Sequence, residues 1–110
     1  MDEILRVHLI TGLLLMAASS LMKLWRPKKI NSFYGYRTPR SMKNQIAWEE
    51  ANSYSADLML WAGVSTLVIQ LISYVTIGGP TSLFISIGYY LVFVGVTMAL
   101  TEKRLKEKGY

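Results

Sequence analysis

The stretch that decides the fold runs from Leu58 to Thr101 and reads LMLWAGVSTLVIQLISYVTIGGPTSLFISIGYYLVFVGVTMALT. It contains no charged residue, and its apolar character is broken only at Gly78-Gly79-Pro80. A bilayer core about 30 Å thick needs about 20 residues of helix. The stretch therefore predicts two membrane-spanning helices, at about 58–77 and 81–101, joined by a tight turn. A buried hairpin of this length in a soluble protein would need a much larger partner domain to cover it.

A third apolar segment precedes these two spans and is shorter. Val7–Met22 carries no charge, and its neighbours extend it to a predicted span at about 4–24. Arg6 and Lys23 can reach opposite interfaces with their charged groups. A cleaved signal peptide is the alternative interpretation. The acidic start of the chain, where a signal peptide has basic residues, favours a retained helix.

The basic residues flank the apolar segments and predict the topology. All of the lysines and arginines except Arg6 lie in the stretch 23–43 or in the tail 103–108. The positive-inside rule assigns the loop 25–57 and the tail 102–110 to the cytoplasm. Three spans also place these two segments on one side. We therefore predict an all-α integral membrane bundle of three transmembrane helices forming a single domain, 1–110, with its N-terminus outside and its C-terminus cytoplasmic.

Composition argues against several functional classes. The chain has no cysteine, so disulfide and thiol chemistry are excluded. The sequence shows no metal-ligand cluster, no nucleophile beside a base and no phosphate loop, so we predict no catalytic or metal site, no cofactor and no enzyme activity. The net charge of +5 flanks the spans, which indicates lipid headgroups rather than nucleic acid as partners. His8, the single histidine, is interpreted as incidental rather than as a pH sensor.

Small and polar residues within the spans predict where the helices touch. Gly95 and Ala99 form a small-xxx-small pair in the third span. Gly12 offers a close contact in the first span and Gly63 in the second. Gln70 is expected to make an interhelical hydrogen bond, because an amide has few other partners within a bilayer.

The loop between the first two spans has the features of a folded segment. Gly35 stands between two tyrosines and suggests a tight turn. Thr38 followed by Pro39 is a helix-start signal with the threonine as N-cap. We therefore predict a cytoplasmic loop helix from Pro39 towards Ser55, which lies on the membrane or continues into the second span. Residues at four-residue intervals would share one stripe of this helix: Arg40, Asn44, Trp48 and Asn52.

This loop resembles the signature of the SdpI family. The resemblance rests on residues 31–39, NSFYGYRTP, which look like the family's glycine-tyrosine-arginine-threonine motif. Positions that resemble the family's later asparagine, tryptophan and alanine-asparagine residues follow: Asn44, Trp48, Glu49, Ala51 and Asn52. By hydropathy the resemblance extends over the next two spans, whereas the first span matches in pattern only. The chain resembles a short form that lacks the additional N-terminal membrane segment of longer members.

The resemblance implies a bacterial membrane immunity protein that resists a secreted peptide toxin which collapses the proton gradient. It implies the peptide toxin and membrane lipids as partners, at these candidate residues: Asn31, Gly35, Tyr36, Arg37, Thr38, Pro39, Asn44, Trp48 and Asn52. For Arg37 the alternatives are an anion-binding fork, an ion pair with Glu49 or Glu50, and a positive charge that simply follows the positive-inside rule. For Asn44, Trp48 and Asn52 the alternatives are a face that binds a partner and a helix that packs onto the cytoplasmic end of the bundle.

Two other functions stay open at this stage. The loop could recruit a cytoplasmic regulator, which would make the chain a signalling module and which the resemblance implies only for the longer form. The chain could also be a subunit of a small transporter, in which case a homo-oligomer would have to enclose the path. The lack of charge in the second and third spans disfavours transport, because translocation sites usually keep an ionisable residue. Neither the toxin nor the oligomeric state follows from the sequence.

Overall fold

The computed structural model describes residues 2–110, which form three α-helices: α1 (Glu3–Leu24), α2 (Gln45–Thr76) and α3 (Gly79–Glu107). No strand occurs within residues 2–110. Each helix is long and apolar enough to cross a membrane. The predicted all-α, three-span architecture is confirmed.

The second helix is longer than a bilayer requires. Its 32 residues rise about 1.5 Å each, or about 48 Å in total, against about 30 Å for the hydrocarbon core. An ion pair between Lys23 and Asp57 joins the end of α1 to α2 where the uncharged part of α2 begins. The turns that precede this pair, Gln45–Asp57, therefore extend beyond the bilayer core.

The predicted start of the loop helix is wrong. Residues Pro39–Met42 form turns, and the helix begins at Gln45 as an uninterrupted part of α2. Thr38 does cap a turn, because its hydroxyl accepts from Ser41 N at 3.2 Å. The Ser41 hydroxyl, however, bonds back to the Tyr36 and Thr38 carbonyls, and such local side-chain bonds compete with helix propagation.

Asn44 provides the true N-cap of α2. Its backbone is extended, and its side-chain oxygen accepts from Ala47 N at 2.8 Å. This is the usual way in which an asparagine satisfies one of the free amide groups at a helix start. The predicted four-residue stripe is therefore real only for Trp48 and Asn52, since Arg40 lies in the loop and Asn44 at the cap.

Small and polar side chains form the contacts between the membrane helices. A Cβ atom on Gly63 would lie 2.7 Å from Ser19 Cβ, and one on Gly12 would lie 2.6 Å from Gln70 Oε1, so α1 and α2 approach closely at both glycines. Large apolar residues such as Leu13 point outward instead. This arrangement is typical of helices packed in lipid. The predicted contact at Gly95 and Ala99 is not made among the described residues 2–110, because both residues are exposed.

Two hydrogen bonds connect α1 to α3, and the first involves the histidine. His8 Nε2 lies 2.6 Å from Ser82 Oγ, and Ser19 Oγ lies 2.9 Å from the Tyr90 hydroxyl. His8 is buried, and its ring meets the Tyr74 ring edge-on at 5.0 Å. The interpretation of His8 as incidental is therefore corrected, because its side chain bridges two helices.

Gln70 does not make the interhelical hydrogen bond that we expected. Its side chain is buried in the α1–α2 contact, where its carbonyl oxygen lies against Gly12. Its Nε2 has no hydrogen-bond partner within residues 2–110. The Gln70 side chain therefore fills the space between α1 and α2 but donates no hydrogen bond across it.

Candidate functional site

The loop motif folds into a compact unit at one end of the bundle. We call this unit the cap, and it consists of the loop 25–44, the first turns of α2 (45–57), and the end of α3 with the residues that follow it (102–110). Ion pairs connect its parts, since Arg40 of the loop binds Glu102 and Glu50 of α2 binds Arg104. The first loop and the tail therefore lie at the same end of the molecule, as three spans require.

Asn52 is the central residue of the cap. Its side chain is completely buried in α2 and faces the loop. Its Oδ1 accepts from Tyr36 N at 2.7 Å, and its Nδ2 donates to the carbonyls of Trp48 at 3.0 Å and Tyr36 at 3.4 Å. One amide thus binds both backbone groups of a buried loop residue: Asn52 is the partner of Tyr36 N, and it shares Tyr36 O with the Ser41 hydroxyl. This explains why an asparagine stands inside a helix despite its low helix propensity.

Gly35 allows the loop to approach this asparagine. Its φ of +110° lies in the region that favours glycine. A Cβ atom here would lie 2.6 Å from Asn52 Oδ1 and 2.7 Å from Pro27 Cγ. Trp48 packs against the same glycine: a Cβ atom on Gly35 would lie 3.3 Å from its ring. The Trp48 side chain is fully buried, and its Nε1 donates to Pro27 O at 2.7 Å. The glycine is required by both its conformation and the space around it.

Tyr36 connects the loop to the third helix. Its hydroxyl donates to Glu102 Oε1 at 2.8 Å and lies 3.1 Å from Met98 O. Burial and the neighbouring Glu102 carboxylate raise the pKa of the Tyr36 hydroxyl well above its usual range, so it stays neutral. Arg40 Nε contacts the other Glu102 oxygen at 3.5 Å. The motif tyrosine and a loop arginine therefore share one carboxylate.

A second charged group connects α2 to the tail. Glu50 binds Arg104 and also Lys108, whose Nζ lies 2.9 Å from the carboxylate. The hydrogen bond from Arg104, followed by the one from Lys108, lowers the pKa of Glu50. The Arg104 guanidinium also lies over the Tyr54 ring, 4.5 Å from its centre.

Arg37 lies on the surface of the cap. Its side chain is exposed, and its Nε donates to Asn31 O at 3.1 Å. It makes no ion pair with Glu49 or Glu50, and no salt bridge at all within the described residues 2–110. Asn31 shapes the turn beneath it, since its Oδ1 accepts from Phe33 N and Tyr34 N.

The nine candidate residues therefore divide into two groups. Tyr36, Trp48 and Asn52 are buried and hold the loop, with Gly35 between them. The others lie at or near the surface: Asn31, Arg37, Thr38, Pro39 and Asn44. The structure also brings in residues that the sequence did not single out, namely Pro27, Ser41 and Glu102. No local pattern marks Glu102, because it meets Tyr36 across two spans of chain.

Comparison with known proteins assigns this arrangement to a family. The sequence profile of the SdpI/YfhL protein family matches residues 28–101. The chain belongs to the SdpI/YfhL family. It is also 42% identical over 98 residues to YfhL of Bacillus subtilis (strain 168), a protein described as uncharacterized; the alignment covers 89% of this chain and 84% of YfhL. No solved structure matches the chain significantly.

The SdpI/YfhL match covers a defined part of the fold. It begins within the loop after α1 and ends near the point where α3 leaves its apolar stretch. It therefore includes most of the cap and both helices that support it, while α1 lies outside the matched range. Family membership and three apolar helices together identify a multi-pass membrane protein.

Proposed function

We propose that the chain is a membrane immunity protein that protects a bacterial cell from a secreted, membrane-depolarising peptide toxin. The SdpI/YfhL match over the cap and the helices beneath it carries this proposal. The protein would bind or neutralise the peptide at the membrane, with its N-terminus outside and the cap and C-terminus in the cytoplasm. The proposal includes no catalytic step.

Arg37 is the motif residue best placed to contact such a partner. Its Nε donates to Asn31 O and the residue is exposed, so the guanidinium is accessible to a partner. A planar guanidinium offers paired donors that match a carboxylate or a phosphate. The buried residues Tyr36, Trp48 and Asn52 would contribute indirectly, because they hold the loop that presents Arg37.

A sensitive bacterium that expresses the chain tests the proposal. We would add a purified toxin of the type resisted by SdpI-like proteins and follow the membrane potential with a voltage-sensitive dye. Expressing cells should keep their potential, whereas cells with an empty vector should lose it. Equal depolarisation in both strains, with the protein present in the membrane at normal levels, would contradict the immunity proposal.

Arg37→Gln tests the contact residue against a matched control. The variant should fold normally, because the side chain is exposed, but should lose protection. Lys106→Gln removes one exposed charge from the tail and should keep protection. If Arg37→Gln protects as well as the parent, the assignment of Arg37 fails while immunity itself still stands.

The signalling alternative has weaker support. Recruitment of a cytoplasmic regulator through Trp48 would need an accessible indole, but Trp48 is completely buried. A regulator would have to dock on exposed residues such as Arg37 and Phe33, and Phe33 is 94% exposed. A soluble protein that co-purifies with the parent and is lost in Arg37→Gln would favour this alternative.

A further inference from the structure

The basic side chains of the first loop differ from those elsewhere in the chain. Outside the loop most are paired with carboxylates: Arg6 with Glu3, Lys23 with Asp57, Lys103 with Glu107, and Arg104 and Lys108 with Glu50. Within the loop, and counting only residues 2–110, just Arg40 forms such a pair. The remaining loop cations make no salt bridge in this part of the chain: Arg26, Lys28, Lys29, Arg37 and Lys43.

Two of these free cations line a cleft directly after α1. The cleft has a volume of about 510 Å³ and is lined by Lys23, Leu24, Trp25, Arg26 and Lys28. None of its lining residues is acidic. A neighbouring cleft of about 520 Å³ also includes Arg26 and Lys28 but contains Glu49 and Glu50. An anion would therefore bind in the cleft beside Trp25, because every charged residue that lines this cleft is a cation.

Apolar side chains continue from this cleft down the outer surface of α1. Trp25 is 66% exposed and Leu24 is 67% exposed, and Leu21 one turn below is also exposed. Tryptophan is enriched at the boundary between headgroups and acyl chains. The cleft thus places positive charge at headgroup level, directly above a surface that suits hydrocarbon.

We propose that Arg26 and Lys28 bind the phosphate of an anionic phospholipid whose acyl chains lie along Leu21, Leu24 and Trp25. Charge complementarity selects the anionic class, because the headgroup amine of a zwitterionic lipid would be repelled by the same cations. Each basic side chain near a surface favours anionic lipid by about five-fold. The proposal does not depend on which side of the membrane the cap occupies.

Tryptophan fluorescence can report occupancy of this site. Of the three tryptophans, Trp48 is buried, whereas Trp61 in α2 is 63% exposed and would face lipid. Trp61→Phe therefore leaves Trp25 as the lipid-facing reporter. The full-length variant would be placed in phosphatidylcholine vesicles that contain a small, equal fraction of either brominated phosphatidylglycerol or brominated phosphatidylcholine. We expect stronger quenching by the phosphatidylglycerol, with a preference that weakens as salt is added.

Two double variants that each remove two positive charges test whether the preference for phosphatidylglycerol arises at the cleft. In the Trp61→Phe background, Arg26→Gln with Lys28→Gln should abolish the preference. Lys103→Gln with Lys106→Gln removes the same formal charge from the tail and should retain it. Emission from buried Trp48 checks that each variant is folded. Equal quenching by the two lipids in the Trp61→Phe parent, or loss of the preference in both double variants, would overturn the proposal.

Discussion

The membrane-spanning part of the bundle and the cap are held together by different interactions. Within the spans most buried hydroxyls bond to their own helix, as when Ser86 Oγ donates to Ser82 O and Thr66 Oγ1 to Ala62 O. In the cap the central hydrogen bonds join separate elements, such as Asn52 to Tyr36. The spans therefore rely on close fit, while the cap relies on individual polar groups.

The different surroundings explain this contrast. Lipid is as apolar as leucine, so burying leucine between membrane helices gains little and small residues that allow close approach are favoured. The cap lies beyond the bilayer core, where burial of Trp48 removes apolar surface from water and is favourable. Backbone groups buried beneath it then need partners, which Asn52 supplies. A single substitution should therefore damage the cap more than the spans.

Asn52→Ala should have the largest effect. It leaves the buried Tyr36 N–H without a partner and leaves only the Ser41 hydroxyl on Tyr36 O, at a cost of about 2–3 kcal/mol in the free energy of unfolding. Thermal unfolding in detergent would measure this loss. Trypsin should also cut faster at the basic residues of the loop 25–44, because the loop is no longer fixed to α2.

Ser53→Ala is the matched control for that substitution. Ser53 is the next residue of α2 and is only partly buried, so its removal should leave stability and loop cleavage near those of the parent. If Asn52→Ala unfolds at the parent's temperature, the cap does not depend on this side chain. The contrast between the two regions would then fail.

Gly63→Ala tests the close fit of the spans. Its new methyl group would lie 2.7 Å from Ser19 Cβ and force α1 away from α2, which should cost about 1–3 kcal/mol. Gly95→Ala is the control, because nothing lies within 4 Å of the same position there. Unfolding in mixed detergent micelles should show a loss only for Gly63→Ala. Equal stability of the two variants would show that the helices do not need this contact.

Tyr36→Phe should have a smaller effect on the cap. It keeps the ring but removes the hydroxyl that reaches Glu102 and Met98, at a cost of about 1 kcal/mol. Glu102 keeps its contact with Arg40, so the carboxylate is not left alone. Thermal unfolding measures the loss. Tyr89→Phe is the control, because the Tyr89 ring packs against Phe93 and its hydroxyl has no hydrogen-bond partner within residues 2–110. A loss as large as that of Asn52→Ala would contradict the ranking.

The spans could be predicted from the sequence, whereas the contacts of the cap could not. The uncharged run 58–101 predicts membrane helices, because its length and lack of charge suit two crossings of a bilayer and little else. The loop motif predicts a folded segment, but the helix start that it predicts is wrong. Thr38 and Pro39 give a strong local signal, yet Ser41 bonds back to Tyr36 O and the chain turns away instead.

The direction of each candidate side chain was equally hard to foresee. Trp48 and Asn52 lie one turn apart on a helix with no amphipathic pattern that would mark them as inward. They face inward because Pro27, Gly35 and Tyr36 cover them, and these contacts join positions far apart in the chain. The contact of His8 is not predictable for the same reason, since its partner Ser82 lies on the third helix. Such long-range pairs leave no trace in local spacing.

The weakest connection in the cap should be the ion pair of Glu50, and its effect should depend on pH. Its folded-state pKa is lowered from an ordinary value near 4.5 by Arg104 and Lys108. Its stabilising contribution is therefore present above that value and is lost as the pH falls through the lower folded-state pKa. Glu50→Gln should unfold at a slightly lower temperature than the parent at pH 7. The difference should vanish in acid, where the parent's carboxyl is also neutral.

Glu107→Gln sets the baseline for this comparison. Glu107 lies 3.9 Å from Lys103, and both side chains are largely exposed, so the pair should contribute almost nothing at any pH. Glu50 is less exposed and binds two cations, which join α2 to the tail rather than neighbours on one helix. A pH-dependent difference for Glu50→Gln alone would show that the tail is fixed to the cap. Identical curves for the two variants would mean that α3 is held by Tyr36 and Arg40 without help from Glu50.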